Sequence, residues 1–178
     1  MTTASPTGFL QYSDRYAAIS QRLLRHAQEE LDADDLIQAS EKAWGAAAHA
    51  IKSVAEKWGW HHQGHFRLNA VVDFIAFEQG RQDLVNLYLS PTVTHINYYE
   101  HRLEADKVQV AIDDTKVFVE EMDRIRAEPI PTFPAPETLT RPQQRRLRLL
   151  NTPPTDYPPR YADVSLLPPV EPEPPETR

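Results

Sequence analysis

Apolar residues recur every three or four positions through most of the first 128 residues, which is the period of a helix with one buried face. The spacing predicts helical segments at about 12–31, 36–58, 64–79, 81–103 and 106–126. No stretch alternates apolar and polar residues over any length, so we expect no sheet. Short connections favour antiparallel neighbours. The sequence therefore predicts an all-α fold, an antiparallel helical bundle of about five helices.

Local signals mark several ends of these helices. Ser13 or Asp14 is expected to cap the first helix, and Asp35 the second. The pair Ser90–Pro91 is typical of a helix start, with an N-cap residue followed by proline at the first helical position. It predicts that the fourth helix either breaks or kinks at this point.

The segment "WGW" at positions 58–60 has the pattern of a helix stop. Gly59 follows the last residue of the apolar stripe and suits the left-handed position that ends many helices. Trp60 would then fold back onto the helix. We therefore interpret the segment as a hydrophobic clasp rather than as a tryptophan-lined ligand site.

The second helix is rich in small residues, namely Ala39, Ala43, Gly45, Ala46, Ala47 and Ala50. A glycine inside a helix costs about 1 kcal/mol relative to alanine, so Gly45 is expected to mark a close helix crossing. The same small face suits close packing between two chains. It predicts a homodimer with a two-fold interface.

Proline divides the chain, because 14 of the 16 prolines lie between Pro129 and Pro175. Dense proline disfavours helix and sheet. We interpret 1–128 as the helical bundle and 129–178 as a proline-rich extended tail that does not stabilise it. Within the tail, Leu147, Leu149 and Leu150 are expected to form one short turn or helix that docks on the bundle or on a partner.

Composition and charge narrow the class of protein. The net charge is −7, with 40% hydrophobic and 25% charged residues, as in a soluble globular protein. There is no cysteine, which excludes disulfides and thiolate chemistry. No signal peptide or membrane span is visible, so we expect a cytoplasmic protein. An acidic bundle argues against broad capture of nucleic acid, although a local basic site stays open.

Two groups of residues are candidates for chemistry. His61, His62 and His65 form a local HHxxH cluster, but nothing completes the three or four ligands that zinc needs, so we expect no metal and a solvated loop. No cofactor is indicated. The segment "HINYYEHR" is more distinctive, because it combines an acid–base group, hydrogen-bonding groups and a cation. Its candidate ligand-binding residues are His95, Asn97, Tyr99 and Arg102.

The segments "DLIQASEKAWGAAAHAIKSVAEKWGW" and "THINYYE" together resemble the PaREP-type helical proteins, which are related to HEPN domains. The resemblance covers about 12–126. It implies an all-α bundle that is often dimeric. HEPN relatives include metal-independent ribonucleases and inactive partners of nucleotidyltransferases.

The ribonuclease branch of that group uses an arginine four to six residues before its histidine. If His95 is the histidine, the arginine position falls near Ser90, and the chain has no arginine there. We therefore expect a non-catalytic interaction or nucleotide-binding module. One form of this expectation is a two-protein system with a nucleotidyltransferase as the partner. Two alternatives are a ribonuclease with a rearranged site around His95, and a scaffold that acts through the proline-rich tail.

Overall fold

The computed structural model describes residues 6–100 and 103–152, with the backbone only for 6–10 and 98–100. Within these residues the chain is helical and has no strand, which confirms the all-α prediction. None of the described helices has a stretch long and apolar enough to cross a membrane. The elements are α1 (Pro6–Asp32), α2 (Leu36–Lys57), α3 (His65–Glu78), α4 (Gln82–Glu100), α5 (Ala105–Ala127), a 3-10 turn (Pro136–Thr138) and α6 (Arg141–Asn151).

The α2 helix is the centre of the bundle and packs against α1, α3, α4 and α5. A Cβ atom added to Gly45 would lie 3.1 Å from Leu23 Cδ1, so the predicted close crossing is confirmed and its partner is α1. The face of α2 that carries the small residues is buried by this packing within the chain. Its alanines at positions 39, 43, 46, 47 and 50 are at most 1% exposed. They cannot form an interface between chains, and a dimer would need another surface.

The predicted end of α2 is confirmed. Gly59 has φ +76° and its N–H donates to Glu56 O at 3.1 Å. The Trp60 N–H donates to Ala55 O at 2.8 Å, which completes the paired hydrogen bonds of a Schellman motif. At the other end, Asp35 accepts a hydrogen bond from the Gln38 N–H at 3.0 Å, as expected of an N-cap.

The predicted start of the first helix is wrong, and of the two outcomes predicted at Ser90–Pro91, a break or a kink, the break does not occur. The α1 helix begins at Pro6, so Ser13 lies inside it, where its hydroxyl donates to Ser53 O at 2.7 Å in the interior. The α4 helix runs unbroken through Pro91, and the Ser90 hydroxyl donates to Asp114 on α5 instead of capping a new helix. Proline costs a helix interior about 3 kcal/mol. Packing of α4 against α2 and α5 outweighs that local preference.

The beginning of the proline-rich region is part of the core. Leu150 is fully buried, Leu139 is 6% exposed, and the Phe133 ring lies 5.1 Å from the Trp60 ring. The His61 N–H donates to Leu150 O at 2.7 Å, which fixes the end of α6 to the loop after α2. The expectation that the tail adds nothing to the bundle is therefore wrong for 129–152.

The predicted docking of the leucine-rich segment is confirmed, since α6 packs against α3. This segment is helical rather than extended because its proline, Pro142, lies in the first turn, where the missing N–H costs nothing. Thr140 and Gln143 form a capping box that starts the helix. The rest of the expected extended tail, 153–178, falls outside the described residues.

Candidate functional site

Three aromatic rings from three helices stack where α2, α3 and α4 meet. Trp44 of α2 lies 4.9 Å from His95 of α4, measured between ring centroids, and 5.2 Å from His65, the first residue of α3. The two imidazoles lie 4.8 Å apart. All three contacts are stacked, with interplanar angles of 17° to 30°. We call Trp44, His65 and His95 the ring cluster.

The ring cluster is open to solvent on one side. The His65 side chain is exposed, and Trp44 and His95 are half-buried. The pKa of His95 lies below its usual value because of burial and the nearby His65 imidazole, while the Glu41 carboxylate acts in the opposite direction. At neutral pH the His95 imidazole is therefore mostly neutral. It can stack and form hydrogen bonds, but it adds no fixed positive charge.

Asn97 has a different environment from His95, although only two positions separate them. It is 3% exposed, and its Nδ2 donates to Ser40 Oγ at 2.9 Å. Its Oδ1 accepts a hydrogen bond from the Leu103 N–H at 2.7 Å. The amide thus ties α4 to α2 and holds the start of the α4–α5 connection. Both ends of the amide therefore bind the protein itself, and Asn97 serves the contact between α4 and α2.

The two segments that carry the family resemblance meet in space. Ser40 and Trp44 lie four positions apart on α2 and contact Asn97 and His95 of α4, respectively. Of the other predicted site residues, Tyr99 belongs to α4 but its side chain is not described, and Arg102 lies outside the described residues. Their role in a site stays a prediction.

The histidines of the HHxxH cluster do not converge. His62 is 4% exposed, and its Nε2–H donates to Glu56 Oε1 at 2.7 Å, so the expectation of a solvated loop is wrong for this residue. The His61 backbone meets Leu150, and His65 joins the ring cluster. Among the described residues, no group of three or more His, Asp or Glu side chains is placed to hold a metal ion.

Two half-buried polar residues of α2, His49 and Lys52, lie on the side of the helix that faces α1. The His49 Nδ1–H donates to Gly45 O at 2.7 Å. Burial and the nearby Lys52 lower the pKa of His49 to about 4. Burial also lowers the pKa of Lys52. The Tyr16 ring of α1 lies 5.8 Å from the His49 ring, and Lys52 Nζ lies 5.8 Å from the centroid of the Tyr16 ring, so these groups serve the α1–α2 packing.

Sequence reasoning identified His95 but missed its partners. Trp44 and His65 lie 51 and 30 positions before His95 in the sequence, so no local spacing connects the three. The only signal was the joint presence of the "SEKAW" and "HINYY" segments.

The helices that form the ring cluster lie within a region that matches a known protein family. The model of the archaeal PaREP1/PaREP8 family matches residues 15–119, more than half of the chain, and this range contains all three rings. No curated protein and no solved structure matches the chain significantly.

Proposed function

We propose that this chain, which belongs to the archaeal PaREP1/PaREP8 family, is a non-catalytic, HEPN-like module that binds a nucleotide-like ligand and assembles with a second copy. The observation that carries the proposal is the ring cluster. Its three rings stack within 5.2 Å of one another, yet His65 is exposed. An aromatic stack left open at the surface is a platform for a further planar group.

The chemistry of the ring cluster suits the base of a nucleotide. Stacking of a base on an aromatic side chain contributes about 1–3 kcal/mol. The His95 imidazole is a planar ring on which a base can stack, and the charge of Glu41 acts on His95 from nearby. A carboxylate accepts hydrogen bonds from the amino group of a base. These groups favour recognition of the planar end of the ligand.

The surroundings of His95 support binding rather than cleavage. Ser90, where the ribonuclease branch has arginine, donates its hydroxyl to Asp114 on α5, whereas His95 stacks on α2. The Ser90 position is therefore next to the carboxylate of Asp114 instead of supplying a cation, and it faces α5. Cleavage of a phosphodiester needs a group that stabilises the charge developing on the phosphate.

Replacement of His95 by alanine is expected to weaken the binding of adenosine monophosphate by about tenfold, because one stacking partner of about 1–3 kcal/mol is lost. Trp44 reports binding directly, since Trp58 and Trp60 are only 7% and 1% exposed. Quenching of tryptophan fluorescence during a titration measures the affinity. His26→Ala on α1 is the matched control and should leave it unchanged. An equal loss in both variants, or no quenching in the wild type, would contradict the proposal.

The ribonuclease alternative is separated by a second measurement. We expect the wild-type protein to leave a mixed pool of single-stranded RNA intact, with or without divalent metal ions. Cleavage by the wild type that disappears in His95→Ala would establish the alternative instead. The scaffold hypothesis concerns residues that lie mostly beyond 152, outside the described part of the chain, and it stays a prediction.

A second copy has an exposed apolar surface to bind. The α4–α5 face carries five large apolar side chains that are 45% to 57% exposed. The two helices pack together, and the Ser90–Asp114 hydrogen bond joins them. Contiguous exposed apolar patches mark interfaces. Its members are Leu89, Val93 and Ile96 on α4 and Val110 and Val117 on α5. A nucleotidyltransferase, which the resemblance implies, is the alternative partner.

Val93→Glu is expected to convert the dimer into a monomer, because it places a charge within an apolar interface. Light scattering of the full chain at high micromolar concentration measures the mass. Ile130→Glu, a change of an apolar residue that is 51% exposed but lies outside the α4–α5 face, should leave the dimer intact. A monomeric wild type under these conditions would refute self-association.

A further inference from the structure

A groove lies between α3 and α6, on a part of the fold that the proposed function does not use. Its cavity has a volume of about 490 Å³, within the range of small-molecule sites. The α6 wall lies beyond residue 119, where the family match ends. The groove is lined by Phe66, Asn69, Ala70 and Asp73 of α3 and by Arg141, Pro142, Arg145, Arg146 and Leu149 of α6.

The groove is positively charged although the chain as a whole carries −7. Three arginines and a single carboxylate line it. Asp73 pairs with Arg146 at 2.9 Å, whereas Arg141 and Arg145 have no ion-pair partner among the described residues. Two guanidinium charges are therefore left in the groove without compensation.

Arg141 and Arg145 do not attach α6 to the bundle. The attachment comes from the buried Leu150 side chain and from the hydrogen bond between its carbonyl and the His61 N–H. Both Arg141 and Arg145 are exposed. Packing leaves their charges unexplained, and repulsion between like charges four positions apart in a helix is unfavourable.

The α3 wall adds an aromatic ring and an amide. Phe66 is 55% exposed although it is a large apolar residue, and the Arg67 guanidinium lies 4.8 Å from its ring centroid. The Asn69 Oδ1 accepts the Tyr88 hydroxyl at 3.0 Å, which leaves the amide N–H groups as donors. A ring, an amide and two uncompensated guanidinium groups match the parts of a nucleotide.

We propose that the α3–α6 groove binds a mononucleotide, with Arg141 and Arg145 on its phosphates and Phe66 against its base. Residues four positions apart on a helix have Cβ atoms about 5–6 Å apart, so both guanidinium groups reach one phosphate or two adjacent ones. Arginine binds phosphate through paired, charge-assisted hydrogen bonds. The site does not depend on ligand binding at the ring cluster, and its own arginines supply the phosphate contacts.

The test is calorimetric titration of the full chain with pyrophosphate and with adenosine diphosphate. Arg145→Ala should weaken the binding of both by about tenfold or more, because it removes a charge-assisted hydrogen bond. Arg148→Ala makes the same charge change on the same helix but outside the groove, and it should alter affinity less than about twofold. Phe66→Ala should weaken the binding of adenosine diphosphate and leave the affinity for pyrophosphate unchanged.

Three results would overturn the proposal. The first is that the wild type binds neither probe. The second is that Arg145→Ala and Arg148→Ala lose equal amounts of affinity. The third is that citrate binds as tightly as pyrophosphate, which would indicate a site for acidic carboxylates. Thermal melts of each variant confirm that it folds. His95→Ala separates the two sites, since it should leave pyrophosphate affinity unchanged even if the ring cluster binds nothing.

Discussion

A chain that ends at residue 128 is expected to be less stable than the full chain by more than about 5 kcal/mol. Truncation removes Leu150, which is fully buried, and Leu139, which is 6% exposed, and it uncovers the rings that Phe133 contacts. Loss of one buried leucine side chain alone costs about 2–5 kcal/mol. For a chain of this size the loss corresponds to a fall in Tm of more than about 10 °C.

A second truncation locates the effect. A chain that ends at Thr152 keeps α6 and its contacts, so thermal melts of the two shortened chains separate 129–152 from the residues beyond. The single change Leu150→Ala should cost about 2–5 kcal/mol, and Leu149→Ala, at a half-buried position, should cost less. A chain ending at residue 128 that melts within about 2 °C of the full chain would show that α6 contributes nothing to the fold.

The sequence predicted a short turn or helix at the three leucines but not that α6 is part of the core, because composition and position carry different information. Proline dominates the region after residue 128, yet from Gln143 to Asn151 there is none. Pro142 itself stands in the first turn of a helix, where proline is favoured. An average over the whole tail therefore predicted an extended chain, while the residue order allowed a capped helix with leucines on one side.

Features that depend on neighbours in sequence were predictable. The stop at Gly59 needs only the residues on either side of it, and the crossing at Gly45 follows from the cost of glycine inside a helix. The sequence could not decide between a break and a continuous α4 at Ser90–Pro91, because the preference of this pair is local while the packing that keeps the helix continuous is tertiary.

The candidate site depended on which helices meet. Asn97 and His95 looked like one group in the sequence, but the partner of Asn97 is Ser40 and that of His95 is Trp44. Residue type indicated hydrogen bonding and stacking correctly in both cases. It could not indicate that the Asn97 amide lies in the interior and the His95 imidazole at the surface. The placement of each side chain depends on a contact with a residue 57 or 51 positions earlier in the sequence, namely Ser40 for Asn97 and Trp44 for His95.

The three tryptophans show the same division between stability and binding. Trp60 is 1% exposed and meets Trp58, Phe74 and Phe133 at ring distances of 5.0, 5.4 and 5.1 Å. It therefore joins the end of α2, the α3 helix and the segment that follows α5. Trp44 is only partly buried against the core, and its ring also stacks on the two histidines of the ring cluster.

Trp60→Ala is therefore expected to lower the free energy of unfolding by about 3–5 kcal/mol, since the cavity opens where three parts of the chain meet. Trp44→Ala, the same substitution at a half-buried position, should cost well below that and should abolish the fluorescence response to adenosine monophosphate. Urea unfolding followed by circular dichroism measures both variants. A Trp60→Ala protein that loses less than about 1 kcal/mol would mean that the clasp after Gly59 is not part of the core. A larger loss for Trp44→Ala than for Trp60→Ala would assign the ring cluster to packing and remove the basis for a ligand there.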